Sequence, residues 1–184
     1  CCGLTINDVD YIFTNDISHN LKLDSFINAK IHYVNHHLAH AASAYYTCGK
    51  YDSAILVIDG QGDQVTTCQV ETVSFLYGFH NNINVIDKKL GKFSLLTSKQ
   101  EKKLVNFNSL GYTYQKITEL IGFGEMGQGK TMGLAPYGSD IYCSAFYEFI
   151  HYNGKEFIIQ LDLLMDFVLD ELSKTLDEGN FHTK

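Results

Sequence analysis

Ile31-His32-Tyr33-Val34-Asn35-His36-His37-Leu38-Ala39-His40-Ala41-Ala42-Ser43-Ala44-Tyr45-Tyr46-Thr47-Cys48-Gly49 is the stretch whose reading decides the fold. Residues 31–34 have the β-branched and aromatic character of a strand. Asn35 is a good N-cap and Gly49 a good stop, so a helix is expected from His36 to Cys48. Immediately downstream, Ser53-Ala54-Ile55-Leu56-Val57-Ile58-Asp59 is a near-continuous apolar run ending in a carboxylate. Such a run is the pattern of a strand buried on both faces. Strand, cap, helix and strand together indicate an α/β fold.

Upstream, Thr5-Ile6-Asn7-Asp8 reads as a capped turn leading into a strand at Tyr11-Ile12-Phe13-Thr14, with a polar connection to about Lys30. The chain has no initiator Met and opens as though in the last turn of a helix with Gly3 as its C-cap. It stops in polar residues after an amphipathic segment, Leu161 to Leu176, and a fragment of a longer protein accounts for both ends. Downstream of Asp59, a tight turn at Gly60-Gln61-Gly62-Asp63 precedes strands at 65–70, 73–79 and 83–86, an antiparallel meander with a turn at Asn81-Asn82. Residues 86–108, which include Lys88-Lys89 and Lys99-Gln100-Glu101-Lys102-Lys103, read as a charged, partly helical insertion and are assigned to a solvated loop. The spacing of Tyr114, Ile117, Leu120 and Ile121 predicts a helix over 110–122 that Gly122 stops. Asn153-Gly154 between two apolar runs predicts a hairpin with a type I′ turn.

Composition narrows the function. The chain has 184 residues, 45% of them apolar, enough for the core of one domain. With 14 basic against 21 acidic residues it carries a net charge of −7, the wrong sign for a protein that tracks DNA phosphates. No apolar run reaches membrane-spanning length, and no basic and apolar leader is present, so the expected setting is cytoplasmic. The cysteines (Cys1, Cys2, Cys48, Cys68 and Cys143) are odd in number and lack CxxC spacing, which argues for reduced thiols.

His36 and His40 lie four apart, so a helix projects both rings from one face. That spacing is common by chance in a chain with 8 histidines. It gains weight because the pair opens a helix beside a strand end, Asp59 ends the next strand, and Ala39, Ala41, Ala42 and Ser43 let the helix pack closely. Two neutral imidazoles and a carboxylate are a set that holds Fe(II), Mn or Zn with positions left open. The metalloprotease pattern does not apply, because His36-His37-Leu38-Ala39-His40 lacks its general-base Glu. His37 points about 100° away from His36 and is a candidate for a supporting or core role.

Gly124-Glu125-Met126-Gly127-Gln128-Gly129-Lys130-Thr131 matches the phosphate-loop pattern GxxxxGK[ST], but its surroundings disagree. A phosphate loop follows a buried strand and opens a long helix. Here a helical pattern precedes it, and Met132-Gly133-Leu134-Ala135-Pro136-Tyr137-Gly138 follows with Gly and Pro. The remaining readings are a plain glycine-rich loop, or a loop whose backbone approaches a ligand while Lys130 offers charge to a phosphate.

Residues 35–45, then Val57-Ile58-Asp59-Gly60-Gln61-Gly62-Asp63, then Leu110-Gly111-Tyr112-Thr113-Tyr114, then 129–138 resemble, in that order, the N-terminal domain of the carbamoyltransferases that include nodulation protein U and the cephamycin and tobramycin carbamoyltransferases. Cys2-Gly3-Leu4-Thr5-Ile6-Asn7-Asp8-Val9-Asp10 is also similar to that family's helix end and turn. The resemblance implies a partial actin-like and sugar-kinase-like (ribonuclease H-like) ATPase fold with a mixed sheet. Residues 1–50 would close one subdomain and 51–184 open the next. It implies that ATP and carbamoyl phosphate give carbamoyl adenylate in a YrdC-like C-terminal domain absent from these residues, and that the carbamoyl group then passes to a hydroxyl of a small-molecule acceptor. His36, His40 and Asp59 would be metal ligands, with iron(II) expected and a further Asp ligand outside the chain. Gly60, Gly62 and Asp63 would border the nucleotide or carbamoyl group, and Lys130 and Gly133 would belong to the nucleotide loop. The remainder of the polypeptide would be an obligatory partner, so the fragment alone is expected to be inactive. Two alternatives stay open: the related transfer-RNA threonylcarbamoyl transferase, against which the wording of 132–138 argues, and a non-catalytic nucleotide-binding module of the same fold.

Overall fold

The structure is a computed structural model that describes residue 3 and residues 5–15, 28–98 and 101–177. The expected helix end at Cys1-Cys2, most of the connection before Lys30, Lys99-Gln100 and the polar C-terminal residues lie outside the described residues. Strands β1 (Tyr11–Thr14) and β2 (Lys30–Tyr33) pair in parallel, with Tyr11 opposite Lys30. Helix α1 (His36–Tyr45) follows, and the Asn35 side chain accepts a hydrogen bond from Leu38 N at 2.9 Å, as an N-cap should. The helix closes at Tyr45, one turn before Cys48, and Gly49 takes a φ of +70° beyond it.

A second sheet is antiparallel throughout and runs β3 (Asp52–Ile58), β5 (Gln69–Phe79), β6 (Asn82–Ser98) and β7 (Glu101–Phe107), with β4 (Gln64–Thr66) also paired to β5. The fold is therefore mixed α/β, but its parallel and antiparallel strands lie in separate sheets where one mixed sheet was expected. Two further readings change. The strand buried on both faces is β5, in which Val70 through Ser74 are all buried. The apolar run before Asp59 is β3, which has β5 as its pairing partner among the described residues and leaves Leu56 and Ile58 about half exposed. Residues 86–108 are not a helical insertion or loop: β6 and β7 form a long hairpin. The open edge of β5 supplies backbone partners for β6, and a charge-rich strand is a common way to finish a sheet edge.

Helices α2 (Leu110–Leu120), α3 (Gln128–Leu134), α4 (Cys143–Phe149) and α5 (Leu161–Asp177) follow, with the hairpin β8 (Ile150–Tyr152) and β9 (Phe157–Ile159) between the last two. Its turn spans four residues, because Tyr152 pairs with Phe157. Asn153 Oδ1 accepts from Lys155 N and Glu156 N at 2.9 and 2.8 Å, which needs two more residues than a type I′ turn holds. Glycine-rich residues 124–131 follow α2 with no strand before them, and they are not a loop throughout: Gln128 to Thr131 already belong to α3. Thr131 hydrogen-bonds Thr118 of α2 at 2.9 Å, so its hydroxyl is committed to packing α3 on α2.

One core lies between α1 and the large sheet, where Ala41, Val57 and Leu76 are buried with Leu38, Ile55 and Ile83 around them. A second gathers around α5, where Leu161, Leu164 and Val168 are buried. The cores are joined where α2 begins. Ser109 caps α2 by accepting from Tyr112 N, and its hydroxyl is directed at the carbonyls of Asp59 and Gly60, 3.2 and 2.9 Å away. Gly111 lies against that same peptide: a Cβ there would come within 2.5 Å of Asp59 C and closer still to Gly60 N. Both obstacles are backbone, so neither can rotate aside. Gly111→Ala is therefore expected to destabilise the protein by about 1–3 kcal/mol in denaturant unfolding, whereas Gly129→Ala, with open space around it on α3, should match or exceed wild-type stability.

Candidate metal centre

The phase of α1 sorts its histidines. His37, Ala41 and Tyr45 recur every four residues and face the sheet. His36 and His40 form the neighbouring stripe and face the end of β3, where Asp59 follows Ile58. His36 Nε2 lies 2.7 Å from Asp59 Oδ2, His40 Nε2 lies 3.7 Å from the same oxygen, and the two Nε2 atoms are 3.0 Å apart. The rings meet edge to face, with centroids 4.6 Å apart. All three donor atoms fall within 4.8 Å of one another.

Two imidazole nitrogens and one carboxylate oxygen turned toward a common point fit a divalent ion of the Fe(II), Mn(II) or Zn(II) type. His36 is only partly exposed while His40 is open, so the centre sits at the surface of the described residues with coordination positions to spare. Asn15, just after β1, stands 3.1 Å from His36 Nδ1. With the amide nitrogen donating to Nδ1, the ring proton sits on Nε2 and points at Asp59. Turning the amide over presents its oxygen to a protonated Nδ1 and frees the Nε2 lone pair, a switch of tautomer within one unchanged shape.

Behind the histidines is a buried polar assembly. His37 is fully buried, with Nδ1 2.7 Å from Ser74 Oγ. Burial holds its imidazole below the usual range, although the nearby Glu71 charge pulls the other way. It is a neutral core residue. Gly62 covers it so closely that a Cβ there would stand 2.5 Å from His37 Nε2. Asp63 Oδ2 accepts from His36 N at 3.1 Å and from Asn35 Nδ2 at 2.7 Å. Asn35 Nδ2 also donates to Glu71 Oε2 at 2.9 Å, and Lys88 Nζ donates to Glu71 Oε1.

The residues proposed from the sequence thus separate. His36, His40 and Asp59 converge. Gly60 adjoins them, with its N–H donating to Asp59 Oδ1 at 2.6 Å. Gly62 and Asp63 face inward, toward His37 and the start of α1. Lys130 and Gly133 lie on α3, where the Lys130 ammonium sits over the Phe123 ring at 5.8 Å. Among the described residues Lys130 makes no ion pair with Asp59 or Asp63. Sequence reasoning missed Asn15, Glu71 and Lys88. Only Asn15 had a signal: it follows the first strand, and parallel pairing of β1 with β2 brings that end of β1 beside the end of β2 from which α1 starts.

Residues 2–160 match the family model for the carbamoyltransferase N-terminus. The chain belongs to the carbamoyltransferase N-terminal family. Among curated relatives, nodulation protein NolNO of Sinorhizobium fredii is 31% identical over 134 residues, which is 68% of this chain and 16% of that protein. Nodulation protein NolO of Bradyrhizobium diazoefficiens is 33% identical over 120 residues, covering 63% of this chain and 18% of that protein. An uncharacterized Synechocystis protein, sll1178, is 34% identical over 109 residues, covering 58% of this chain and 14% of that protein. The chain spans less than a fifth of the length of these relatives. No helix among the described residues of this carbamoyltransferase domain is long and apolar enough to cross a membrane.

Glu71 gives the domain an acid limit. Burial raises its carboxyl, but hydrogen bonds from Lys88 and Asn35 and the Lys88 charge outweigh this, so it ends below the ordinary carboxylate value. A group depressed in the folded state contributes stability above its unfolded value of about 4.5, and that contribution is lost as pH falls through the folded value. The stability difference between wild type and Glu71→Gln, followed by denaturant unfolding from pH 6 to pH 3, is expected to shrink as pH falls.

Proposed function

We propose that this domain is the acceptor half of an O-carbamoyltransferase. In this reading carbamoyl adenylate, made from ATP and carbamoyl phosphate elsewhere in the same polypeptide, delivers its carbamoyl group to a hydroxyl of a small molecule beside His36, His40 and Asp59. The observation that carries the reading is the convergence of these three side chains, which family membership places in a carbamoyltransferase domain. The proposal includes an actin-like, sugar-kinase-like arrangement for the whole domain, with a subdomain boundary near residue 50, and a cytoplasmic setting.

His36, His40 and Asp59 would hold the metal, with iron(II) as the proposed ion and Mn or Zn as substitutes. When bound, it supplies Lewis-acid charge for phosphate or carbamoyl oxygens. The chain's own residues do the positioning. Asn15 fixes the His36 ring. The Asp59–Gly60 peptide, gripped by Ser109 and abutted by Gly111, holds the carboxylate at the strand end. Gly60 borders the carbamoyl or nucleotide group in this reading, and α3 with Lys130 and Gly133 is the proposed approach of the nucleotide phosphates. The acceptor hydroxyl attacks the carbamoyl carbon, the bond from that carbon to the phosphate oxygen of the adenylate breaks, AMP departs with the bonding pair, and the hydroxyl proton passes to water.

Full-length protein given ATP, carbamoyl phosphate and a panel of hydroxyl compounds should form carbamoyl adenylate and consume it in an acceptor-dependent way. Adenylate that forms but never transfers would defeat the reading. His40→Ala in the full-length protein is expected to lower bound iron, measured by elemental analysis, to below about a tenth of wild type. Transfer should fall by more than about 100-fold, beyond what loss of a supporting partner costs. Unchanged iron content would remove His40 from the ligand set.

A further inference from the structure

Asn35 does more than cap a helix. An N-cap needs only the side-chain oxygen, here bonded to Leu38 N. In this chain the amide nitrogen is engaged as well, at 2.7 Å from Asp63 Oδ2 and 2.9 Å from Glu71 Oε2. Every strong hydrogen-bonding group of the side chain is used, so its rotation is fixed and with it the start of α1. The arrangement draws two carboxylates, one from the loop after β3 and one from β5, onto a single neutral amide. Left alone they would repel each other and part.

Lys88 of β6 supplies the missing charge. Its ammonium pairs with Glu71, which is only 3% exposed, on the oxygen that Asn35 does not use. Lys88 touches none of His36, His40 or Asp59, and it reaches the assembly from the hairpin that the sequence marks as an unrelated insertion. A break in the β5–β6 register between Glu71 and Val73 puts Lys88 directly opposite Ser74, the residue that holds His37, and so brings its side chain to the α1 side of the sheet.

We infer that Lys88 and Glu71 are positioning residues for the His36–His40–Asp59 centre, acting through Asn35 to hold the first turn of α1 in the rotation that turns both histidines toward Asp59. The inference rests on the metal reading for its consequence, but the clamp itself is independent of any ion. Lys88 balances the charge of Glu71, so the effect of losing it should be reversed by also removing that charge. A lysine that merely packed against the sheet would show no such reversal.

The test uses full-length protein with two measurements: amide hydrogen exchange at His36 to Ala39 without metal, and Co²⁺ affinity from the visible absorption of the bound ion. Lys88→Met is expected to speed exchange in that turn and weaken Co²⁺ binding, each by about 10-fold. Lys88→Arg should stay close to wild type, and Lys88→Met combined with Glu71→Gln should recover most of both losses. Wild-type exchange and affinity in Lys88→Met, or a double variant as impaired as the single one, would overturn the inference. A wild-type protein that takes up no Co²⁺ would instead defeat the metal reading, and the exchange pattern would still decide the clamp.

Discussion

The hydrogen bonds of one amide, that of Asn35, are the constraint on which the rest of the site depends. A helix delivers side chains every 100°, so a small rotation of α1 about its axis would carry His36 and His40 off Asp59 and swing His37 out of the core. Backbone hydrogen bonding within the helix does not fix that rotation. The packing of Ala41 and Tyr45 sets it coarsely, and the bonds from Asn35 to Asp63, Glu71 and Leu38 set it finely. The His36 N–H bond to Asp63 adds a second tie at the first residue of the helix.

Such a centre carries an electrostatic cost in its supports. Asp59, Asp63 and Glu71 crowd the first turn of α1, and a buried carboxylate is expensive unless it is paired or well hydrogen-bonded. Asp63 is satisfied on one oxygen by α1 itself, where the positive end of a helix favours an anion. Glu71 needs a full counter-charge, and Lys88 provides it. The neutral state of His37 belongs to the same balance, because its ring packs beside Glu71 without adding a second buried cation.

What could be read from the sequence was what is local. The cap, the helix, the four-residue spacing of His36 and His40 and the placement of Asp59 at the next strand end all lie within 25 consecutive residues, and helical geometry alone brings the histidines together. The supporting residues depend on pairings between distant strands. Glu71 and Lys88 are 17 apart and meet only because of a register break that no residue pattern announces. The charge of residues 86–108 is plain in the sequence but does not distinguish strand from loop, since lysines on a sheet-edge hairpin look the same there as lysines on a solvated loop. The apolar character of β3 misled in the opposite sense: a run of Ala, Ile, Leu and Val reads as a central strand, yet β3 pairs with β5 alone among the described residues. The glycines of the 124–131 stretch match a phosphate loop by letter, but α2 stands before them where such a loop needs a strand.

Helix α2 joins two places that are far apart in the chain. At one end Ser109 grips the carbonyls of Asp59 and Gly60. At the other Thr118 holds Thr131 of α3. Its 11 residues make a rod about 16 Å long. A hydrogen-bonded helix resists compression far better than a loop, so α2 works as a spacer of fixed length between the end of β3 and α3.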